Sequence, residues 1–264
     1  MIPPVVHYIW IGDKQPPSEI LEYMKTWNKL VGYQIKKYDE HFLIGKDIPN
    51  VIEAAFKLKK YAFVTDWMRL KILYEEGGIY MDTDVEVCKT FSDIIADESV
   101  ALFLGFIYDT SLGTAVIGAE RGNEVIHRLL EQYETARYMY DDNTKSFTIE
   151  FAFKPGMYMV NNNDMFTAYF LKYINGFSLN GKKQLCGNKE NILICPKEYF
   201  EGYSIDFKHN YTIHHCFGSW RKTDSKTSGK LLNCLKKIYI VRWIKDVYTR
   251  NHRKNLPFEN YYTK

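Results

Sequence analysis

The feature that most constrains this chain is a helix–glycine–strand pattern between Tyr61 and Val87. Apolar side chains recur at helical spacing over Tyr61–Glu76, so this segment predicts a helix. Gly77 and Gly78 predict its end, because glycine adopts the left-handed conformation that closes many helices. Residues 79–87 then alternate between apolar and polar side chains with period two, which predicts a half-buried strand. A long helix that turns directly into a strand is typical of α/β proteins.

Other strand and helix patterns alternate along the first half of the chain. Further strands are predicted at Val5–Ile11, Tyr33–Tyr38, Val100–Phe106, Thr114–Ala119, Ile192–Cys195 and Tyr211–His215. Helices are predicted from Ser18, as the N-cap, to Leu30 and over Asn123–Tyr138. Residues 140–165 are predicted to be irregular, with a turn at Asn161–Asp164. This alternation predicts a mostly parallel sheet in an α/β fold, and 264 residues suffice for one large domain.

Two carboxylates in the alternating segment are the centre of the predicted chemistry. Asp82 and Asp84 are one residue apart, so on an extended segment they project to the same side, together with Tyr80 and Glu86. Such a pair can hold one divalent cation, and hard oxygen ligands suit Mg²⁺ or Mn²⁺. The alternative is an exposed strand face that happens to carry two aspartates.

Asp66 and Arg69 lie three residues apart on the predicted helix and therefore share a face. One interpretation is a surface ion pair that contributes little to stability. The other is a binding pair, in which the aspartate accepts hydrogen bonds from sugar hydroxyls and the arginine serves a diphosphate or a hydroxyl.

A late segment carries a second group of polar side chains. His214 and His215 face opposite sides of their predicted strand, so one can bind a metal while the other packs in the core. Ser219 and Trp220 follow after a glycine, and their hydroxyl and indole N–H groups can donate to phosphate oxygens.

Together these motifs resemble a known family. The order is His7 to Gly12, Tyr61 to Arg69, Leu73 to Asp84, and the late Ser219-Trp220 pair. It is similar to that of the DXD-containing sugar transferases, which include yeast mannosyltransferases and bacterial capsule and lipopolysaccharide glycosyltransferases. The glucosyltransferase domains of large clostridial toxins are similar as well. The resemblance covers residues 1 to about 90 and returns at 214–220.

The resemblance implies a fold, a donor and a reaction. The fold is GT-A, a Rossmann-like nucleotide-sugar-binding sheet flanked by helices, and the reaction retains anomeric configuration with a divalent metal, Mn²⁺ or Mg²⁺. The donor is a nucleotide sugar, and a UDP-sugar is favoured because Trp10 matches the tryptophan that stacks on uracil. The implied donor-binding residues are Trp10, Tyr61, Asp66, Arg69, Tyr80, Asp82, Ser219 and Trp220.

The same resemblance assigns roles within the site. Asp66, Arg69, Asp82 and Asp84 are the implied catalytic group; Asp82 also contacts ribose and sugar. Asp82 and Asp84 are the implied metal ligands. The third ligand is His214 or His215, and His215 is favoured because it lies five residues before Trp220, where toxin-like relatives carry an acidic ligand.

Charge divides the chain into an acidic body and a basic tail. The net charge is +3, but Lys230–Lys254 alone carries +7 and the rest −4. An acidic body argues against nucleic acid as a partner. We therefore expect a domain over residues 1–229 and a basic, helical C-terminal extension over residues 230–264. This extension is either a partly buried helix with solvated ends or a contact with an anionic membrane surface.

The expected biological setting follows from these features. There is no signal peptide or membrane-spanning run, and five cysteines without paired spacing favour a cytoplasmic protein, peripheral at the inner face of the membrane if the tail binds lipid. The expected acceptor is a glycan or lipid-linked glycan in the synthesis of a bacterial surface polysaccharide, rather than the target of a toxin.

Two other functions compete with this one. A DxD phosphatase or phosphotransferase would use Asp82 as its nucleophile, although Glu86 stands where that motif has threonine or valine. A non-catalytic module that binds nucleotide sugars or glycans is the second alternative.

Overall fold

The computed structural model describes residues 1–12, 14–159, 161–189, 191–202, 208–216, 243–244, 247–248 and 258–263. The strands are β1 (Val5–Ile9), β2 (Gln34–Tyr38), β3 (Gly78–Met81), β4 (Val85–Val87), β5 (Leu102–Tyr108), β6 (Ser111–Ala119), β7 (Arg137–Asp141), β8 (Ser146–Glu150), β9 (Tyr158–Met159), β10 (Gln184–Cys186), β11 (Ile192–Cys195) and β12 (Thr212–His214). The helices are α1 (Ser18–Lys25), α2 (Asn50–Lys57), α3 (Tyr61–Glu76), α4 (Ser92–Ile95), α5 (Glu124–Glu134), α6 (Asn162–Tyr173) and α7 (Lys197–Phe200).

The central sheet has seven strands in the order β10-β11-β5-β6-β3-β1-β2. β2, β1, β3, β5 and β11 run in one direction, whereas β6 and β10 run against them. The predicted α/β class is therefore confirmed, with a mixed sheet whose strands are mostly parallel. Helices cover it on both faces, as in the Rossmann-like GT-A arrangement that the resemblance implies.

Two hydrophobic clusters lie on the two faces of this sheet. The larger one includes Val64, Leu70 and Leu73 of α3, and the smaller one includes Trp27 and Phe200. Helix α3 begins and ends where the sequence predicts, at Tyr61 and Glu76. Because the apolar residues of α3 are buried in the larger cluster, the polar residues of the same helix are held in position as well.

The glycine pair after α3 closes the helix and starts β3. Gly77 and Gly78 have φ of 69° and 99°, a region that residues with a Cβ rarely adopt. A Cβ on Gly78 would lie 2.6 Å from the carbonyl oxygen of Val5. The buried His7 contacts the Gly77 carbonyl oxygen through Nε2 at 2.7 Å. The glycines therefore allow β3 to pair closely with β1.

The segment after these glycines differs from the prediction of one continuous strand. β3 ends at Met81, and β4 begins at Val85 and pairs with β12 in a separate two-stranded sheet. Residues 82–84 form a turn, in which the amide of Val85 donates to the carbonyl oxygen of Asp82 at 3.2 Å. The two aspartates thus lie at the carboxyl end of β3, not on a strand face.

The prediction of irregular structure over residues 140–165 was wrong. The strands β7, β8 and β9 form a three-stranded sheet that extends into this segment, and α6 begins at Asn162. The asparagine run caps α6, because the side chain of Asn161 accepts from the amide of Asp164 at 2.9 Å. Two helix boundaries also differ from the prediction. α5 ends at Glu134 and not at Tyr138, and Ser18 is the first residue of α1, not its N-cap.

The end of the chain returns to the body. The amide of Thr263 donates to the carbonyl oxygen of Leu179 at 2.8 Å, and Tyr262 forms a β-bridge with Leu179. Most of the predicted basic helix over 230–264 lies outside the described residues; Trp243 and Tyr248, within it, are exposed. Within the part of the chain that the structure describes, no helix has the length and apolar character needed to cross a membrane.

Candidate functional site

The turn after β3 brings both aspartates to the carboxyl edge of the sheet. The amide of Asp82 donates to the carbonyl oxygen of Ala115 on β6 at 2.9 Å, which extends the β3–β6 pairing by one residue. The chain then turns, and Asp84 comes back toward β12, whose neighbour His215 donates its amide to the Asp84 carbonyl oxygen at 3.1 Å. Carboxyl edges of such sheets are where α/β proteins commonly bind ligands.

Arg69 of α3 contacts two carboxylates at this edge of the sheet. Its Nη2 lies 2.9 Å from Asp66 Oδ1 and 3.4 Å from Asp82 Oδ1. Its Nη1 donates to the carbonyl oxygen of Thr114 at 2.7 Å, and its guanidinium lies over the ring of Tyr80. The Arg69 side chain is only 6% exposed, so the pair with Asp66 is not a surface ion pair. Nε, Nη1 and Nη2 of Arg69 each contact a protein oxygen, so the guanidinium is fixed in position and holds the carboxylates of Asp66 and Asp82.

Tyr80 orients Asp82 from the same side. Its hydroxyl donates to Asp82 Oδ1 at 2.7 Å, the oxygen that Arg69 also contacts. Burial is the largest influence on this phenol and, together with the Asp82 charge, raises the pKa of Tyr80 well above its ordinary value despite Arg69. Tyr80 therefore remains a hydrogen-bond donor at physiological pH.

The side chain of Asp66 is largely withdrawn from solvent, with 16% of its surface exposed. Burial outweighs the lowering effect of Arg69 and, together with the charge of Asp82, raises the pKa of Asp66 to about 6. A carboxyl with such a pKa titrates close to physiological pH and is a common feature of functional sites.

A small cavity opens beside Asp66. Its volume of about 10 Å³ is close to the space of one water molecule. It is lined by Phe63, Asp66, Tyr133, Ile149, Phe151, Met159, Asn161 and Asn162. Asn162 is 7% exposed and its Nδ2 is buried without a hydrogen-bond partner in the structure. A donor left unpaired in this way costs free energy, so a ligand oxygen or water beside Asp66 would stabilise it.

His214 completes the group on the opposite side. Its Nε2 lies 3.4 Å from Asp84 Oδ1 and its Nδ1 lies 2.7 Å from Glu201 Oε2. Burial lowers the pKa of His214, but the Glu201 and Asp84 carboxylates outweigh it and hold the pKa well above the ordinary value. One ligand atom each from Asp82, Asp84 and His214 lies within 4.8 Å of the others.

The structure departs from the choice of His215 as the third ligand. The His215 Nε2 lies 2.9 Å from Glu86 Oε2, and its ring stacks on Tyr23 with centroids 3.8 Å apart. His214, the last residue of β12, contacts Asp84, whereas the next residue, His215, contacts Glu86 and Tyr23. The geometry therefore favours His214 over His215, and metal binding by either histidine stays a prediction.

The donor set tests whether a divalent cation fits. Two carboxylates and one imidazole converge within ligand distance of one another, and the imidazole edge that faces Asp84 is Nε2. Carboxylate oxygens suit Mg²⁺ and Mn²⁺, and an imidazole ligand favours a transition metal. The chemistry of Asp82, Asp84 and His214 thus fits Mn²⁺.

Two predicted donor residues lie apart from this group. Trp10 follows β1 at the same sheet edge, half-buried, and its Nε1 donates to the Lys14 carbonyl oxygen at 2.6 Å. Tyr61 is the first residue of α3, and its ring lies 6.0 Å from that of Phe56. Ser219 and Trp220 lie outside the described residues.

Sequence reasoning missed several residues that the fold brings to the site. Thr114 connects Arg69 to α6, since its Oγ1 donates to Asn163 Oδ1 at 2.8 Å. The asparagine run was interpreted as a turn, although three asparagines followed by a mostly apolar segment also fit a capped helix. The side chain of Asp164 accepts from Asn161 Nδ2 at 2.9 Å within this cap. Glu201 carried no local signal at all.

Comparisons with known proteins give the site a family context. Residues 10–101 match the glycosyltransferase sugar-binding region containing a DXD motif. An uncharacterized glycosyltransferase, L373, of Acanthamoeba polyphaga mimivirus is 29% identical over 166 residues, which cover 56% of this chain and 63% of the relative. Subversion of eukaryotic traffic protein A of Legionella pneumophila is 29% identical over 151 residues, 54% of this chain and 22% of that protein.

Solved structures give a more distant likeness. The PaToxG glycosyltransferase is 20% identical, with a TM-score of 0.38, over 50% of this chain and 60% of its own. The chain spans less than two thirds of the length of the curated relatives that it matches here.

Proposed function

We propose that this chain, whose residues 10–101 match the glycosyltransferase sugar-binding region containing a DXD motif, transfers a sugar from a nucleotide-sugar donor to an acceptor hydroxyl with a divalent cation. The observation that carries the proposal is the convergence of Asp82, Asp84 and His214 beside Asp66 and Arg69. One side of this group offers metal ligands, and the other offers a buried carboxylate suited to sugar hydroxyls.

Different residues of the site would bind the cation, bind the donor sugar and stabilise the departing diphosphate. Asp82, Asp84 and His214 would hold Mn²⁺ or Mg²⁺, which supplies positive charge to neutralise the departing diphosphate. Asp66 and the unpaired Asn162 amide lie together at the cavity, where hydroxyls of the donor sugar would satisfy both. Arg69 adds positive charge and fixes the orientation of Asp66 and Asp82, which reduces reorganisation during the reaction.

The finer identity of the donor rests on the resemblance. Trp10, exposed in part at the carboxyl end of β1, is proposed to stack on the base of a UDP-sugar. Retention of anomeric configuration is proposed as well, with the acceptor hydroxyl attacking from the face of the leaving diphosphate. Ser219 and Trp220 are proposed to donate to the diphosphate.

Two acceptor classes are proposed. The first is a glycan or lipid-linked glycan of a bacterial surface polysaccharide such as capsule or lipopolysaccharide, made in the cytoplasm or at the inner membrane face. The second is a protein, because one relative is named for the subversion of eukaryotic traffic and another, from Yersinia ruckeri, is named Toxin Afp18. Intact-mass analysis of candidate acceptor proteins after incubation with donor would separate the two.

The direct test is a donor screen with the purified full-length chain. UDP- and GDP-sugars are incubated with Mn²⁺ and nucleotide release is measured by mass spectrometry. We expect turnover with one donor class and a loss of about 100-fold or more in Asp84→Asn, because removal of a ligand weakens the charge stabilisation. Asp97→Asn, in an exposed loop, is the matched control. A panel that gives neither turnover nor calorimetric binding would overturn the proposal.

The competing functions make different predictions. A phosphatase would form a phosphoaspartate at Asp82, whose Oδ1 is here engaged by both Tyr80 and Arg69. Trapping that adduct would favour the phosphatase. A non-catalytic module would bind donor in Asp84→Ala as well as in the unmodified chain and would show no turnover in either.

A further inference from the structure

Glu201 contacts His214 at the ring nitrogen that does not face Asp84. Its side chain is 5% exposed, and its Oε2 lies 2.7 Å from His214 Nδ1. The other ring nitrogen, Nε2, lies 3.4 Å from Asp84 Oδ1. One imidazole therefore connects a buried carboxylate to the group that would hold the cation.

This arrangement selects one form of the histidine ring. When Nδ1 carries the hydrogen and donates to Glu201, a neutral imidazole presents an unprotonated Nε2. Nε2 is the nitrogen that faces Asp84 and the candidate cation site. Histidines that bind metals commonly donate their second ring N–H to a carboxylate, which fixes tautomer and orientation.

The backbone holds the two residues together independently of the side chains. The amide of His214 donates to the Glu201 carbonyl oxygen at 3.1 Å. The hydroxyl of Thr212 donates to the Phe200 carbonyl oxygen at 2.9 Å. The end of α7 is thus tied to β12 at the positions that carry the carboxylate and the imidazole.

Two glycines on the central sheet make room for this carboxylate. Gly105 on β5 and Gly113 on β6 are directly paired, so their missing side chains leave a flat area on one face. A Cβ on Gly113 would overlap Glu201 Oε1, and a Cβ on Gly105 would lie 2.8 Å from the Phe200 ring. The sheet therefore lets α7 approach closely enough for Glu201 to reach His214.

We propose that Glu201 is a positioning residue for the metal site, holding His214 with Nε2 directed at the cation, and that Gly113 provides the space it needs. This inference rests on the proposed function, because it concerns the cation that the transfer requires. It adds two residues, Glu201 directly after α7 and Gly113 on β6, that lie outside the DXD region.

The test measures Mn²⁺ binding to the full-length apoprotein by electron paramagnetic resonance of free Mn²⁺, without donor. We expect Glu201→Ala to weaken binding by about 10- to 100-fold. Glu201→Gln should weaken it less, because its carbonyl oxygen can still accept from Nδ1. Gly113→Ala should resemble Glu201→Ala, since the added Cβ displaces the carboxylate. Glu198→Gln, on α7 three residues before Glu201 and more exposed, should bind like the unmodified chain.

Thermal unfolding without metal separates positioning from folding. If Glu201→Ala and Glu201→Gln unfold at the same temperature, the inference requires that they differ in Mn²⁺ affinity. If the unfolding midpoint and the Mn²⁺ affinity fall in parallel, the role of Glu201 is structural and the inference is overturned. Unchanged affinity in a folded Glu201→Ala would also overturn it, and would leave the proposed function intact. If the unmodified chain does not bind Mn²⁺, both the inference about Glu201 and the proposed function are contradicted. Weaker binding in Glu201→Ala without turnover of any donor would support the inference while the proposed function fails.

Discussion

Ionisation of the Asp66 carboxyl destabilises the folded state. Its pKa of about 6, against an ordinary 3.8, means that the folded protein binds its proton more tightly than the unfolded chain does. The contribution of Asp66 to stability is therefore complete below about pH 4 and is lost as pH rises through 6. Two units of pKa correspond to about 3 kcal/mol.

Replacing Asp66 by asparagine tests this cost. Without metal, the free energy of unfolding of Asp66→Asn relative to the unmodified chain should shift in favour of asparagine by up to about 3 kcal/mol between pH 4 and pH 7, since asparagine does not titrate. Urea denaturation at both pH values measures it. Glu22→Gln, on the exposed side of α1, should show no such shift. Parallel stability curves for Asp66→Asn and the unmodified chain would disprove the raised pKa.

Tyr80 makes a second prediction at the scale of one residue. Tyr80→Phe removes the 2.7 Å hydrogen bond to Asp82 Oδ1 and keeps the ring beneath Arg69. A hydrogen bond to a charged group contributes roughly 1.5–3 kcal/mol. We expect Mn²⁺ affinity to fall by about 10-fold or more while the thermal midpoint changes little. Tyr33→Phe, whose hydroxyl lies 3.4 Å from Ser92 Oγ, is the control. Equal Mn²⁺ affinity in Tyr80→Phe and the control would show that Tyr80 does not orient Asp82.

At the scale of elements, the glycines after α3 decide whether β3 can pair with β1. Gly78→Ala would set a Cβ 2.6 Å from the Val5 carbonyl oxygen, in addition to the strain of a φ of 99°. Gly122 also has a positive φ, of 72°, but a Cβ there meets nothing within 4 Å. Gly122→Ala should cost about 1 kcal/mol of unfolding free energy, from backbone strain alone.

Gly78→Ala should cost at least about 3 kcal/mol, because backbone overlap is added to strain. Chemical denaturation of the two variants measures the difference directly. If the two glycine variants lose equal stability, close pairing of β3 with β1 is not what requires glycine at 78.

The same elements show what a sequence can and cannot predict. Helix α3 was located from Tyr61 to Glu76 because its apolar periodicity and glycine end are local signals. The break after Met81 was not, since alternation continues through 82–84 while the chain turns into a second sheet. Its cause is the long-range pairing of β4 with β12, more than 120 residues away along the chain.

The candidate site follows the same division. Asp66, Arg69, Asp82 and Asp84 lie in one local motif and could be named in advance. The choice between His214 and His215 depended on which face of β12 meets Asp84, and the roles of Asn162 and Glu201 depended on how α6 and α7 pack on the sheet. Such contacts are non-local, and no pattern in a single segment encodes them.

At the scale of the whole molecule, charge separates the body from the basic tail. Lys230–Lys254 carries +7, and Trp243 and Tyr248 within it are exposed. Exposed aromatic side chains beside lysine and arginine are typical of segments that bind anionic membrane surfaces. The alternative remains a helix that packs on the body and leaves its charges in solvent.

Sedimentation with vesicles separates these two functions of the tail. We expect the full-length chain to co-sediment with anionic vesicles at low salt and to be released at high salt, because screening weakens the attraction. Changing Lys236, Lys237, Arg242 and Lys245 to glutamine should weaken binding by roughly fivefold per charge, since each contributes about 1 kcal/mol near the surface.

Substitution is preferable to truncation, because residues 258–263 hydrogen-bond back to Leu179 and their loss would disturb the body. A matched variant with four glutamines in place of exposed lysines of the body, Lys14, Lys25, Lys57 and Lys59, loses the same charge outside the tail. Equal loss in both variants would mean that net charge drives binding. Binding that is absent at low salt would leave the tail as a structural helix, and the acceptor would then have to reach the carboxyl edge of the sheet from solution.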